Sequence, residues 1–120
     1  IYPDPAARQR KTSSAGRTDL SILNNSGFMT KARSAHPAVR DRINAVNSRL
    51  KSGNGKRHLF FTDKCKQAIK SLERQTYKEG TSQPNKDDGY DHANDALGYM
   101  VEYLFPIKTD YKIEQPTRWT

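Results

Sequence analysis

Residues 87–104 constrain this chain more than any other stretch. A loop carrying Gly89 brings Asp87, Asp88, Asp91, His92 and Asp95 into a helix with apolar positions Ala93, Ala96, Leu97, Met100, Val101 and Leu104. The spacing i, i+3, i+4, i+7, i+8, i+11 marks one helical face. The acids and the imidazole therefore border a buried stripe. His92 and Asp95, three apart, have Cβ atoms about 5–6 Å from each other, and Asp91 precedes Asp95 by one turn. Two readings stand side by side. Acids at a helix start cap it and favour the positive end of its dipole. Acids beside a neutral imidazole also outline a site for a hard-to-borderline divalent cation.

The rest of the chain alternates. Ile1 and Tyr2 read as the tail of a strand, closed by Pro3-Asp4-Pro5 because proline cannot donate to a ladder. An acid just past a strand end is where open α/β sheets place their chemistry; Asp4 is equally a turn residue between two prolines. Arg8, Arg10, Lys11 and Arg17 follow among small polar residues, a basic loop suited to phosphate contact or to a solvated surface. Thr18 caps a short helix carrying Leu20 and Leu23 and stopped at Gly27.

Residues 28–32 make a second strand, and Pro37 opens a helix with Val39, Ile43, Val46 and Leu50 inward. Residues 57–61 are the strongest strand, aromatic and bounded by turns. Thr62 and Asp63 cap a third helix with Cys65, Ala68, Ile69 and Leu72 inward; Cys65 reads as a buried small hydrophobe rather than a nucleophile. Lys64, Lys66, Lys70 and Arg74 cover its outer face. Residues 78–90 form a long polar loop. Pro106 stops the acidic helix, and 107–120 read as an extended tail with Tyr111, Ile113 and Trp119 as anchors. Strands alternating with helices predict an α/β fold with a largely parallel sheet flanked by helices.

Charge points to the partner. Lys and Arg number 21 against 13 Asp and Glu, a formal net charge of +8, which favours a polyanion such as nucleic acid. No window approaches about 18 apolar residues, so no membrane span is expected. The start has no charged region followed by an apolar one, so no signal peptide is expected. A single cysteine excludes an internal disulfide and suits a reducing compartment. The abrupt start at a strand suggests a fragment of something longer.

Asp91-His92-Ala93-Asn94-Asp95-Ala96-Leu97-Gly98-Tyr99 resembles the block that closes the nuclease domain of bacteriophage terminase large subunits. Tyr2-Pro3-Asp4-Pro5-Ala6-Ala7 resembles a strand-end block of the same domain, with Ala7 where glycine is common. Gly27-Phe28, the run from His36 to Asn44, and His58-Leu59-Phe60-Phe61 fall between them in the family's order, so the resemblance covers residues 1 to about 105. It implies an RNase H-like fold, partial here because the first strands would precede Ile1, over 1–106, with 107–120 as a tail. It further implies a metal-dependent endonuclease that cuts concatemeric double-stranded DNA by two-metal hydrolysis with Mg²⁺ or Mn²⁺. Asp4 matches the second acid, Asp95 the third, His92 a metal-side histidine of part of the family, and Asp91 an auxiliary. The first acid would precede Ile1, so the chain alone is expected to cleave poorly.

No G-x-x-x-x-G-K-[ST] loop is present. The resemblance therefore puts the packaging ATPase elsewhere in a full-length protein, with the small terminase subunit and the portal as partners in the host cell cytoplasm. The alternative is a non-catalytic basic α/β module that binds DNA or a packaging partner, its acids serving as caps. An RNase H-like protein of another lineage, such as a resolvase or transposase, would share the metal site. The enzyme reading makes one hard demand. Asp4 and Asp95, 91 positions apart, must meet at one cleft.

Overall fold

Thr18 and Ser21 close a reciprocal capping box, each side chain bonding the other's backbone amide, and this starts α1 (Asp19–Asn25). The expected cap at Thr18 is thus the observed one. Three longer helices follow: α2 (Val39–Leu50), α3 (Lys66–Arg74) and α4 (Asp91–Leu104). A 3₁₀ turn, Pro5–Arg8, precedes them all, started by the Asp4 carboxylate accepting from the Ala6 amide at 2.8 Å. The computed structural model describes residues 1–10 and 15–107; Lys11 and, in the tail, 108–120 with Tyr111, Ile113 and Trp119 lie outside the described residues.

α4 is the hub. α2 and α3 both pack on it, while α1 lies against the 3₁₀ turn. The core between α2 and α4 is small: Ala45, Val46 and Val101 are buried, with Leu50, Leu59, Leu72, Leu97 and Met100 half-buried around them. The stripe Val39, Ile43, Val46, Leu50 on α2 does face inward, but it includes Arg42 one turn before Val46, buried to 8 % exposure. The face expected of α4 is met in part: Leu97, Met100 and Val101 pack in the core. The helix buries Asp91, Gly98, Val101 and Glu102, and leaves Ala96 and Leu104 exposed.

The α/β arrangement expected from the sequence, RNase H-like with a mostly parallel sheet, is not the one the chain adopts. The described residues contain no strand, only isolated antiparallel bridges of Arg10 with Thr18 and Tyr77 with Pro84. The physical reason is a lack of pairing partners. The Ile1 amino group donates to the Met29 carbonyl and Lys31 N–H to the Ile1 carbonyl, both at 2.9 Å, so residues 1 and 29–31 begin a ladder. Pro3 and Pro5 lack the donors that would continue it. In 57–61 the amides of His58 and Leu59 both donate to the Arg49 carbonyl at 2.9 Å. That segment is therefore spent on the end of α2. Leu59 joins the core, and Phe60 is left 74 % exposed.

Two smaller expectations also change. Cys65 is exposed, because α3 begins one residue later, at Lys66, and the thiol sits 3.6 Å from the Thr62 hydroxyl. No side chain caps α4: Tyr90 holds the cap position and Asp91 is the first helical residue. The acids of 87–91 therefore act on this helix end through the dipole alone.

Candidate functional site

The approach of Asp4 to α4 is built by a chain of arginines and tyrosines. Arg8 donates from Nε to the Arg33 carbonyl at 2.9 Å and from Nη2 to the Ala32 carbonyl at 2.7 Å, tying the 3₁₀ turn to residues 32–33. Arg33 in turn donates to the Glu102 carboxylate at 2.9 Å and to its backbone carbonyl at 3.1 Å, and lies 5.5 Å from the Tyr103 ring centroid. Tyr2 packs on Tyr103 with ring centroids 5.7 Å apart. These contacts dock the N-terminal segment along α4. Asp4 then lies where the Tyr99 hydroxyl donates to its Oδ2 at 3.1 Å.

The result is an open cleft of about 360 Å³ lined by Tyr2, Pro3, Asp4, His92, Asp95, Ala96 and Tyr99. Asp4, His92 and Asp95, separated by up to 91 positions in sequence, share this cleft. Asp91 does not join them. It is buried, with a carboxylate oxygen 3.9 Å from His92 Nδ1, and lines a second cavity of about 170 Å³ between α2, α3, α4 and residues 75–84. Among the described residues no group of three or more His, Cys, Asp and Glu side chains is gathered closely enough to hold a metal ion. The three cleft donors line its walls without converging on a point.

Both acids already carry partners. Arg42 Nη1 bonds Asp95 Oδ1 at 2.5 Å, with the Asp95 side chain still 34 % exposed. The guanidinium also sits 4.8 Å from the centroid of the Tyr99 ring. Asp4 Oδ1 lies 3.2 Å from His36 Nε2 and accepts the Ala6 amide, while Oδ2 takes the Tyr99 hydroxyl. Burial pushes the Tyr99 phenol above its ordinary pKa; the charges of Asp4 and Asp95 add to this, and Arg42 opposes it. His92 is the freest of the donors, its side chain 86 % exposed.

The basic residues expected to meet phosphate divide. Arg10 and Arg17 are exposed, as are Lys64, Lys66, Lys70 and Arg74 around α3. Arg8 instead spends its guanidinium on the carbonyls of 32 and 33.

Sequence reasoning missed Arg42, His36 and the hydroxyl of Tyr99. Arg42 left a signal. It stands at i+3 from Val39 and four before Val46, within the inward stripe of α2. Gly98, on the facing helix, has the space such a side chain needs. Comparison with known protein families, with curated proteins and with solved structures found no match to this chain.

Proposed function

We propose that this chain is part of a metal-dependent DNA endonuclease of the kind carried by bacteriophage terminase large subunits, cutting concatemeric double-stranded DNA. The observation that supports this most is the shared cleft: Asp4 and Asp95, distant in sequence, line it together with His92. Two carboxylates and an imidazole are a donor set that divalent Mn²⁺ accepts, and Mg²⁺ accepts less readily because it prefers oxygen. In this reading Asp4, Asp95 and His92 are the residues that would hold the ion, which requires them to close in from the cleft walls they line without converging. When bound, such ions supply an activated water and neutralise charge on the leaving oxygen of a phosphodiester. The exposed cations Arg10, Arg17, Lys64 and Lys66 would take the DNA backbone. In this reading the working partners are a packaging ATPase domain, the small terminase subunit and the portal, in the host cell cytoplasm. No described helix is long and apolar enough to cross a membrane.

A second reading, a non-catalytic DNA-binding module, is favoured by one observation: Arg42 and Tyr99 already satisfy the two acids. Metal linkage separates the two. If ion and phosphate share the cleft, each raises affinity for the other by the same factor. Binding of a short duplex, followed by fluorescence anisotropy, should tighten on adding Mn²⁺, and Asp4→Asn and Asp95→Asn should each abolish that tightening. Duplex binding indifferent to Mn²⁺ in the unaltered chain would refute the nuclease reading and leave the binding module.

A further inference from the structure

The cavity of about 170 Å³ between α2, α3, α4 and residues 75–84 has an apolar wall and an unsatisfied polar one. Ile43 and Val46 of α2 and Leu72 of α3 make the first, and Tyr77, 56 % exposed, stands where the cavity opens to the surface. Asp91 and Asn94 line it from α4, three residues apart and so neighbours on one side of the helix. Asp91 is buried to 6 % exposure, yet its carboxylate accepts no hydrogen bond from any described residue; its one ion-pair contact among them is His92 Nδ1, 3.9 Å away. Asn94 spends its amide nitrogen on the Ser71 carbonyl at 3.0 Å and on Gln75 Oε1 at 3.4 Å, which leaves its Oδ1 buried and unpaired as well. Gln75 gives its own amide to the carbonyls of 76 and 85. Unpaired buried acceptors are destabilising, a charged one more so. At this end the cavity therefore offers acceptors that lack donors.

We propose that this cavity takes an unpaired guanine base, with the donor edge of the base on Asp91 and Asn94. A space of about 150 Å³ holds one six-membered aromatic ring. The pyrimidine half of the base therefore enters, while its five-membered ring and sugar stay at the mouth beside Tyr77. The two acceptors select among bases. Guanine sets N1–H and the N2 amino group side by side, two donors that match a carboxylate in a charge-assisted fork. Adenine and cytosine each put an amino group next to an acceptor nitrogen, and thymine puts one N–H between two carbonyls, so each would turn an acceptor toward Asp91. The apolar wall suits the face of a ring, and a base drawn out of a strand is read by a pocket through this same edge. Asp91 must turn about its terminal torsion to meet the ring, a broad and low-cost rotation. A cationic guanidinium side chain would satisfy the same acceptors, but the formal net charge of +8 favours a base carried on phosphate. The site rests on the nucleic-acid part of the reading above and needs neither the cleft nor its ion.

Calorimetric titration of GMP, IMP and AMP into the full chain tests the site, since the three share a phosphate and differ only in the base. GMP should bind, IMP, which lacks only the 2-amino group, about ten- to hundredfold more weakly, and AMP should not compete with GMP. A thymine single strand carrying one guanine, set against a thymine-only strand, separates the sources: displacement of GMP by the first strand alone assigns the base to a nucleic acid, and displacement by neither assigns it to a free nucleotide. Asp91→Asn should weaken GMP at least tenfold without lowering the urea midpoint, because it removes a buried charge that no described residue bonds. Should that variant fail to fold, the comparison of GMP with IMP decides. Equal affinity for GMP, IMP and AMP would reduce binding to phosphate and overturn the proposal. A loss in Asp91→Asn matched by a fall in its midpoint would make Asp91 a packing residue and overturn it too. Binding of benzamidine but not of GMP would hand the cavity to a guanidinium-bearing peptide, and binding of neither would leave it to ordered water. Mn²⁺-linked duplex binding is measured apart from these titrations, so a failure of the base site and a failure of the nuclease reading are distinguishable.

Discussion

Gly98→Ala should destabilise this protein, although helix propensity alone says the opposite. In the interior of an exposed helix, replacing glycine by alanine gains about 1 kcal/mol. Here the new methyl would meet Arg42 Cγ at 2.7 Å and Cδ at 2.9 Å. The tip of a free arginine would swing away at little cost. Arg42 is not free, since it is buried to 8 % exposure, bonded to Asp95 and stacked on Tyr99. Overpacking of this kind costs about 1–3 kcal/mol. Dislodging the guanidinium also weakens the pair with Asp95, which is a third exposed and so contributes on the order of 1 kcal/mol. The net expectation is a loss of about 1–2 kcal/mol, or a fall in melting temperature of roughly 4–8 °C. Thermal and urea unfolding measure it directly. The decisive arm is the double mutant: in an Arg42→Ala background the same Gly98→Ala change should regain about 1 kcal/mol. Stabilisation by Gly98→Ala in the unaltered chain would refute the claim that Arg42 is locked in place.

Other consequences are equally open to measurement. A phenol raised in the folded state contributes stability below its unfolded pKa of about 10 and loses it as pH rises through the folded value. The raised Tyr99 phenol thus predicts a decline in unfolding free energy above about pH 10, flattened by Tyr99→Phe. Duplex DNA binding should weaken with salt by about 0.9 in log K per log unit for each phosphate contacted. Replacing Arg10 and Arg17 together should flatten that slope by up to about 2, and an unchanged slope would remove both from the interface. Arg8→Ala should act on stability instead, because its guanidinium is committed to the carbonyls of 32 and 33; an unchanged urea midpoint would contradict that role. Val101→Ala, at a site 2 % exposed beside Ala45 and Val46 in the core, should cost about 2 kcal/mol by urea unfolding.

How much of this was legible beforehand depends on range. Local chemistry was readable: the capping box at Thr18, the inward stripe of α2, and the helix from Asp91 to Leu104 stopped before Pro106 all follow from spacing and turn residues. The strands were not, because a β-strand is a statement about a partner. Residues 57–61 have the aromatic content of a strand, yet their amides bond the end of α2. The buried face of α4 was legible only in part. Counting apolar residues selects Ala93, Ala96, Leu97, Met100, Val101 and Leu104; Leu97, Met100 and Val101 do pack in the core, but Ala96 and Leu104 are exposed and the chain also buries Asp91 and Glu102, the latter paired with Arg33 sixty-nine positions away. The two end blocks of the sequence placed Asp4, His92 and Asp95 together, and all three line one cleft, though without converging on a point. Their partners were not legible, because Arg42, His36 and Tyr99 meet those acids only through tertiary packing.

Titration of Mn²⁺ into the unaltered chain, His92→Ala and Asp95→Asn, by isothermal calorimetry, tests the central claim most directly. A ligating imidazole must be deprotonated, so affinity should also fall on acidification in the chain that retains His92. The account predicts measurable Mn²⁺ binding in the unaltered chain, tighter than for Mg²⁺, weakened in His92→Ala and lost in Asp95→Asn. Three indistinguishable titrations would contradict it.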